Sequence, residues 1–162
     1  MRADLPKEKA MLEFENLSKQ DIESEGFEKI YHEMFSLYKP QALCMPILEL
    51  LIVDSKSIQE LNRIHRNQNT PTDVLSFPLE VDFTQENRQV IGSVVINIQC
   101  AKEVALKQGH SIECELQLLF IHGLLHIFGF DHERDSGEQR VQEEYWITKF
   151  NLPESLIIRS QR

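Results

Sequence analysis

A chain of 162 residues, 41% hydrophobic and 27% charged, is long enough to bury a proper core as one domain over residues 1–162, with the composition of an ordinary soluble globular protein. Its formal net charge of −9 argues against a broad nucleic-acid-coating surface, which would be basic, and composition alone favours a small-molecule or protein partner. A local cleft of arginines can still bind phosphate on such an acidic protein.

Residues 1–10 are polar and expected to be loose, with acids and a proline where a signal peptide would carry an apolar run. Met11–Leu17 alternates apolar and polar, the period of a half-exposed strand. Phe27, Ile30, Tyr31, Met34, Phe35 and Tyr38 then form one stripe of an amphipathic helix that ends before Pro40. Ile47–Val53 is nearly continuous apolar sequence, as in a strand covered on both faces. Asp54 or Ser55 can cap the next helix, with a capping box at Ser57 and Glu60 one turn later. That helix carries Ile58, Leu61, Asn62 and His65 on a shared face and ends near Arg66. After a turn at Asn67–Pro71, Thr72–Pro78 is expected as a short strand, at an edge because of Pro78. A polar loop over 79–89 leads to a strand at Val90–Ile96, where Gly92 suggests a bulge or a close backbone approach. A helix over about 98–108 closes at Gly109, and Ser111 caps the helix that follows. A last helix spans about Ser136–Phe150, with Ser136 and Gln139 placed for a capping box, and the tail through Arg162 is expected to fray.

The order β-α-β-α-β-β-α-α-α predicts an α+β fold. Strands joined through helices pair parallel, and the 79–89 loop can join an antiparallel pair, which gives a mixed, mostly parallel four-stranded sheet packed with helices. No apolar stretch approaches the ~18 residues of a membrane span. Cys44, Cys100 and Cys114 are widely spaced without a C-x-x-C motif and suit reduced thiols, so the expected location is the cytoplasm.

Chemistry concentrates in His122–His132. His122 and His126 are four residues apart, so on a helix they project from one face. Gly129 can stop that helix in the left-handed conformation and let the chain bring His132 back to the same point. Apolar residues surround the pair on nearly every side, and burying imidazoles without partners is unfavourable. A metal supplies the partners. Three nitrogen ligands that leave a fourth tetrahedral position open suit a catalytic zinc rather than a structural one, with one ion per chain. Glu113 and Glu115, in the first turn, are expected to be solvated charges favoured by the helix dipole.

The spacing H-x-x-x-H-x-x-G-x-x-H is similar to that of the metzincin proteases, except that their catalytic glutamate is replaced by Gly123. More specifically, His122–His132 resembles H-G-x-L-H-x-x-G-[YF]-D-H of the YbeY family. Leu61–Arg66 followed by Thr72–Pro78 resembles that family's L-N-x-x-[YF]-R and T-[DN]-V-L-S-F-P. The likeness covers roughly residues 45–150. It implies a zincin-like fold with the metal site on a central buried helix, His122, His126 and His132 as zinc ligands, and Arg66 facing the cleft as a catalytic or RNA-contacting residue. It also implies a zinc-dependent, single-strand-specific endoribonuclease of ribosomal RNA processing, at the 3′ end of small-subunit rRNA, and of ribosome quality control. The implied partners are precursor rRNA and the small ribosomal subunit, with no DNA and no membrane.

Two departures stand out. His65 occupies a usually aromatic position, and the family's G-D-[IV] strand is Gly92-Ser93-Val94, without the carboxylate. Asp73 or Asp131 could replace that acid. Asp131 is either an acceptor for a ligand's second N–H or a turn carboxylate with no such duty. Arg66 taken alone is a solvated helix end; with the resemblance, its planar fork suits phosphate. The competing functions are a metal-dependent peptide hydrolase, opposed by Gly123, and a ribosome-assembly factor whose metal only holds the fold.

Overall fold

The computed structural model describes residues 11–153. The expectations for residues 1–10 and for the tail through Arg162 fall outside them. The elements are β1 (Leu12–Asn16), α1 (Glu25–Tyr38), β2 (Ile47–Val53), α2 (Ser55–Arg66), β3 (Val74–Pro78), β4 (Val90–Asn97), α3 (Ile98–Gln108), α4 (Ile112–Ile127) and α5 (Glu138–Lys149). The four strands lie in the order β1-β2-β4-β3. β1 and β2, joined through α1, pair parallel, and β2 also pairs parallel with β4; β3, although joined to β2 through α2, does not pair with it and runs antiparallel to β4 at an edge. The expected mixed sheet is therefore present, with Pro78 on an edge strand where its missing N–H is tolerated.

Helix α4 packs across β3 and β4, with α1, α3 and α5 against it. Leu48, Leu50, Ile52, Val94 and Ile96 face it, in one core with Phe27, Met34, Leu119, Leu124 and Trp146. A smaller cluster of Val53, Ile58, Leu75 and Val95 lies under α2 on the other face. Gly92 sits beside a register shift, since Ile47 pairs with Val90 but Leu48 pairs with Gly92. A Cβ there would lie 2.5 Å from the Phe77 carbonyl oxygen, the close approach that excludes any side chain. No helix among the described residues is long and apolar enough to cross a membrane.

Three local expectations change. Asp54, one of the two expected caps of α2, accepts from the Ser57 N–H at 2.8 Å, but the expected Ser57–Glu60 box does not form: Ser57 lies inside the helix and Glu60 pairs with Arg63. Strand β3 starts at Val74 rather than Thr72, because the Asp73 carboxylate takes the Val74 N–H at 2.8 Å. Helix α5 starts at Glu138 without a Ser136–Gln139 box: Gly137 takes φ 105°, and Asp135 accepts from the N–H groups of Gly137 and Gln139 at 2.9 Å each. Gln139 turns inward, fully buried.

Candidate metal centre

Ser111 caps α4 as expected, its hydroxyl accepting from the Cys114 N–H at 3.1 Å. Glu115 differs from expectation. It is buried and pairs with His110 at 2.7 Å, because its position lies on a face of α4 that packs inward. From Leu116 to Ile127 nearly every α4 residue is buried. His122 and His126 share one face, with ring centroids 5.1 Å apart. Gly129 takes φ 98°, and its N–H bonds back to the His126 carbonyl at 3.0 Å. The chain then turns and places the His132 ring 5.0 Å from His122 and 5.5 Å from His126.

One nitrogen from each of the three rings lies within 4.8 Å of the others, a group able to hold a metal ion. Its chemistry fits that use. Burial first, then the neighbouring His122 and His132, hold the His126 pKa below the ordinary histidine value, and a metal requires that neutral form. Nδ1 of His132 is buried with no hydrogen-bond partner, a vacancy in polar pairing that coordination would remove. Glu143, itself buried, meets Nδ1 of His122 at 3.0 Å. A carboxylate can only accept, so Nδ1 carries the proton and the Nε2 lone pair is left for an ion.

Glu143 and Gln139 are the residues that sequence reasoning missed. The Gln139 side-chain oxygen accepts from the His132 N–H at 2.9 Å, and its amide nitrogen donates to the His122 carbonyl at 3.4 Å. Their signal was present: Gln139, Glu143, Trp146 and Ile147 fall at i, i+4, i+7 and i+8 and form the buried face of α5. Asp131 instead caps its own turn, accepting from the Glu133 N–H at 3.1 Å and lying 3.6 Å from Arg134.

The imidazoles open onto a cleft of about 530 Å³ bordered by Arg66, residues 72–76 and residues 129–133. Arg66 is the last residue of α2 and solvent-exposed. Among the described residues Arg63, Arg134 and Arg140 are each paired with an acid, whereas Arg66 and Arg88 are paired with none, and of these two it is Arg66 that borders the cleft. Its fork is available to an anion in the cleft.

Both departures from the motif have a structural account. The His65 ring packs edge-on to Phe77 at 4.9 Å, as an aromatic would, while Ile58 and Asn62 are the buried members of the face assigned to it. Ser93 lies next to Val94, whose side chain faces α4, so on a pleated strand Ser93 faces away from the imidazoles. Its hydroxyl donates to Glu49 on the adjacent strand at 2.9 Å. Gly123 is a packing requirement: a Cβ would stand 2.8 Å from Val94 Cγ1 and 3.0 Å from Ser76 Oγ. That hydroxyl donates to the Gly123 carbonyl at 2.9 Å, fastening β3 to α4.

A four-stranded mixed sheet carrying a buried helix, with three convergent imidazoles at an open cleft, defines the zincin-like class. The family model described as Endoribonuclease YbeY matches residues 13–148. An Endoribonuclease YbeY from Sulfurovum sp. (strain NBC37-1) is 45% identical over 152 residues, covering 93% of this chain and 97% of that protein. One from Campylobacter jejuni (strain RM1221) is 54% identical over 113 residues, covering 70% and 82%. The solution structure of TM1509 from Thermotoga maritima, at 24% identity, superposes with a TM-score of 0.57 over 84% of this chain and 86% of that one, a likeness of fold. The chain belongs to the YbeY family.

Proposed function

We propose that this chain, as a single domain, is a zinc-dependent, single-strand-specific endoribonuclease of the cytoplasm. On this reading it processes precursor rRNA at the 3′ end of the small-subunit RNA, takes part in ribosome quality control, and has the small ribosomal subunit as its partner. The observation that supports it most is the meeting of three imidazoles and an unpaired arginine at one cleft, in a member of the YbeY family.

His122, His126 and His132 would hold one zinc ion, which when bound supplies Lewis acidity toward a phosphoryl oxygen and a source of hydroxide at neutral pH. Glu143 keeps the His122 proton on Nδ1 and fixes the ring. Gln139 sets the His132 backbone against the His122 carbonyl. Arg66 pairs its fork with non-bridging phosphate oxygens and holds charge that develops on them. A cleft of this size takes in a short stretch of one extended strand, whose backbone can bend toward the imidazoles, whereas a duplex presents its phosphates on a wide and rigid helix.

The test is cleavage of single-stranded RNA, duplex RNA and unstructured peptide in parallel, with and without chelator. Chelator-sensitive cleavage of the single strand alone is expected. Arg66→Glu should abolish it with zinc content and fold intact, and Arg66→Lys should be intermediate. Losing one preorganised donor at a developing charge is worth on the order of 10²–10³ in rate. Wild-type cleavage by folded, zinc-loaded Arg66→Glu protein would end the role given to Arg66. Stoichiometric zinc that raises the melting temperature without hydrolysis of any substrate would favour an assembly factor. The packing of Gly123 opposes the peptide hydrolase reading, because that site has no room for a glutamate base.

A further inference from the structure

Between Arg66 and the cleft strand β3 runs a strap, residues 67–73, whose backbone carbonyls are caught at residues 69, 70, 72 and 73. Asn67 leaves α2 in the left-handed conformation, φ 54°, and its N–H returns to the Asn62 carbonyl. The Gln68 N–H reaches the same oxygen at 3.3 Å. Gln59 donates to the Asn69 carbonyl at 3.2 Å, and the Asn62 side-chain amide donates to the Thr70 carbonyl at 2.9 Å. Further on, the Asn97 side chain donates to the Thr72 carbonyl at 3.1 Å, and the Asn97 backbone N–H to that of Asp73 at 2.8 Å.

Asn62 is the unusual member. It lies in the interior of α2, where asparagine is a poor helix former, and it is only 2% exposed, where an apolar side chain would ordinarily serve. A buried amide is unfavourable unless bonded; its amide nitrogen has the Thr70 carbonyl as partner, while its side-chain oxygen is buried with none among the described residues. Residues 67 and 68 are held by the main-chain carbonyl at position 62, which any residue would supply; the asparagine side chain adds the tie to Thr70, in the stretch that fixes how the end of α2 meets the cleft. Arg66 has no ion pair among the described residues to aim it, so its placement depends on the backbone beneath it.

We propose that Asn62 is a positioning residue: through the 67–70 strap it registers Arg66 against β3 and the three imidazoles. The inference rests on the role given to Arg66 above. The test compares Asn62→Ala and Pro71→Gly, each alone and in the Arg66→Ala background. Pro71 is exposed, so its replacement loosens the strap without opening the core, and it serves if Asn62→Ala does not fold. The readouts are zinc content, amide hydrogen exchange over residues 67–73, and kcat and KM on single-stranded RNA.

Exchange in the strap should rise at least about tenfold with zinc content unchanged. RNA cleavage should fall about ten- to a hundredfold, chiefly in kcat, and by less than about threefold once Arg66 is already alanine. A merely structural asparagine would cost the same in both backgrounds. An unchanged strap, or a loss undiminished without Arg66, would overturn the proposal. If wild-type protein cleaves no RNA, the functional reading fails with it, while the exchange readout still decides whether Asn62 holds the strap.

Discussion

Replacing Gly123 by alanine puts one methyl group between the metal-bearing helix and the sheet. Its carbon would stand 2.8 Å from Val94 Cγ1, 3.0 Å from Ser76 Oγ and 3.3 Å from Val74 Cγ2. Carbon atoms pack best at about 3.5–4.0 Å. Val94 is fully buried and β-branched, so it has no free rotamer to retreat into, and helix and strand must part. Such overpacking costs about 1–3 kcal/mol. Strain on the Ser76–Gly123 hydrogen bond adds about 1 kcal/mol. Alanine's better helix propensity returns about 1 kcal/mol. The balance is a loss of about 1–3 kcal/mol, or roughly 2–12 °C in melting temperature at this chain length. Thermal unfolding of chelator-treated Gly123→Ala and wild-type protein measures it without any metal contribution. A variant melting at or above wild type would refute the packing argument. Gly123→Glu, which completes the protease pattern, adds a longer chain at the same point and should not give folded, zinc-loaded protein.

Three further outcomes are expected. His126→Ala should lose stoichiometric zinc and melt lower than zinc-loaded wild type, and full zinc occupancy would remove it from the ligand set. Glu143→Gln should weaken zinc binding about 10–100-fold in a chelator competition, the usual effect of losing a ligand's orienting partner, whereas wild-type affinity would show that His122 needs no such partner. Because the folded-state pKa of His126 is lowered, the metal-free unfolded chain binds more protons there as pH falls through about 6.5, so this group's contribution to stability declines on acidification, by at most about 1.4 kcal/mol per pH unit. Metal-free His126→Gln should show a flatter dependence of melting temperature on pH over that range, and superimposable profiles would remove His126 as the source.

Residues whose type and spacing act locally were legible in the sequence. The Val-, Ile- and Leu-rich run at 47–53, the αL glycine after α3, the Ser111 cap and the four-residue interval between His122 and His126 appear where periodicity places them. What escaped was set by tertiary neighbours. Glu115 and Glu143 have the composition of surface charge, yet Glu115 lies on the inward face of α4 beside His110, and Glu143 is buried where a histidine from another helix meets it. Ser136 has the right chemistry for a cap, yet Asp135, one residue earlier, reaches the same free N–H groups. The face to which Ser93 points depends on how β4 lies against α4, which strand periodicity alone leaves open in a sheet covered on both sides.

The two halves of the imidazole group stand on ground of unequal permanence. His122 and His126 belong to the helix buried on nearly every side, a segment that exposes its amides only when the whole molecule opens. His132 belongs to a turn secured by Gln139 and by short-range hydrogen bonds around Asp131. For an ion held as proposed, the slow step of escape is then a local one: the turn swings out, the third bond breaks, and solvent enters beside two ligands that have not moved. Exchange of the ion should accordingly be faster than global unfolding and respond little to mutations that destabilise the sheet. It should quicken with any change that frees the His132 turn from α5.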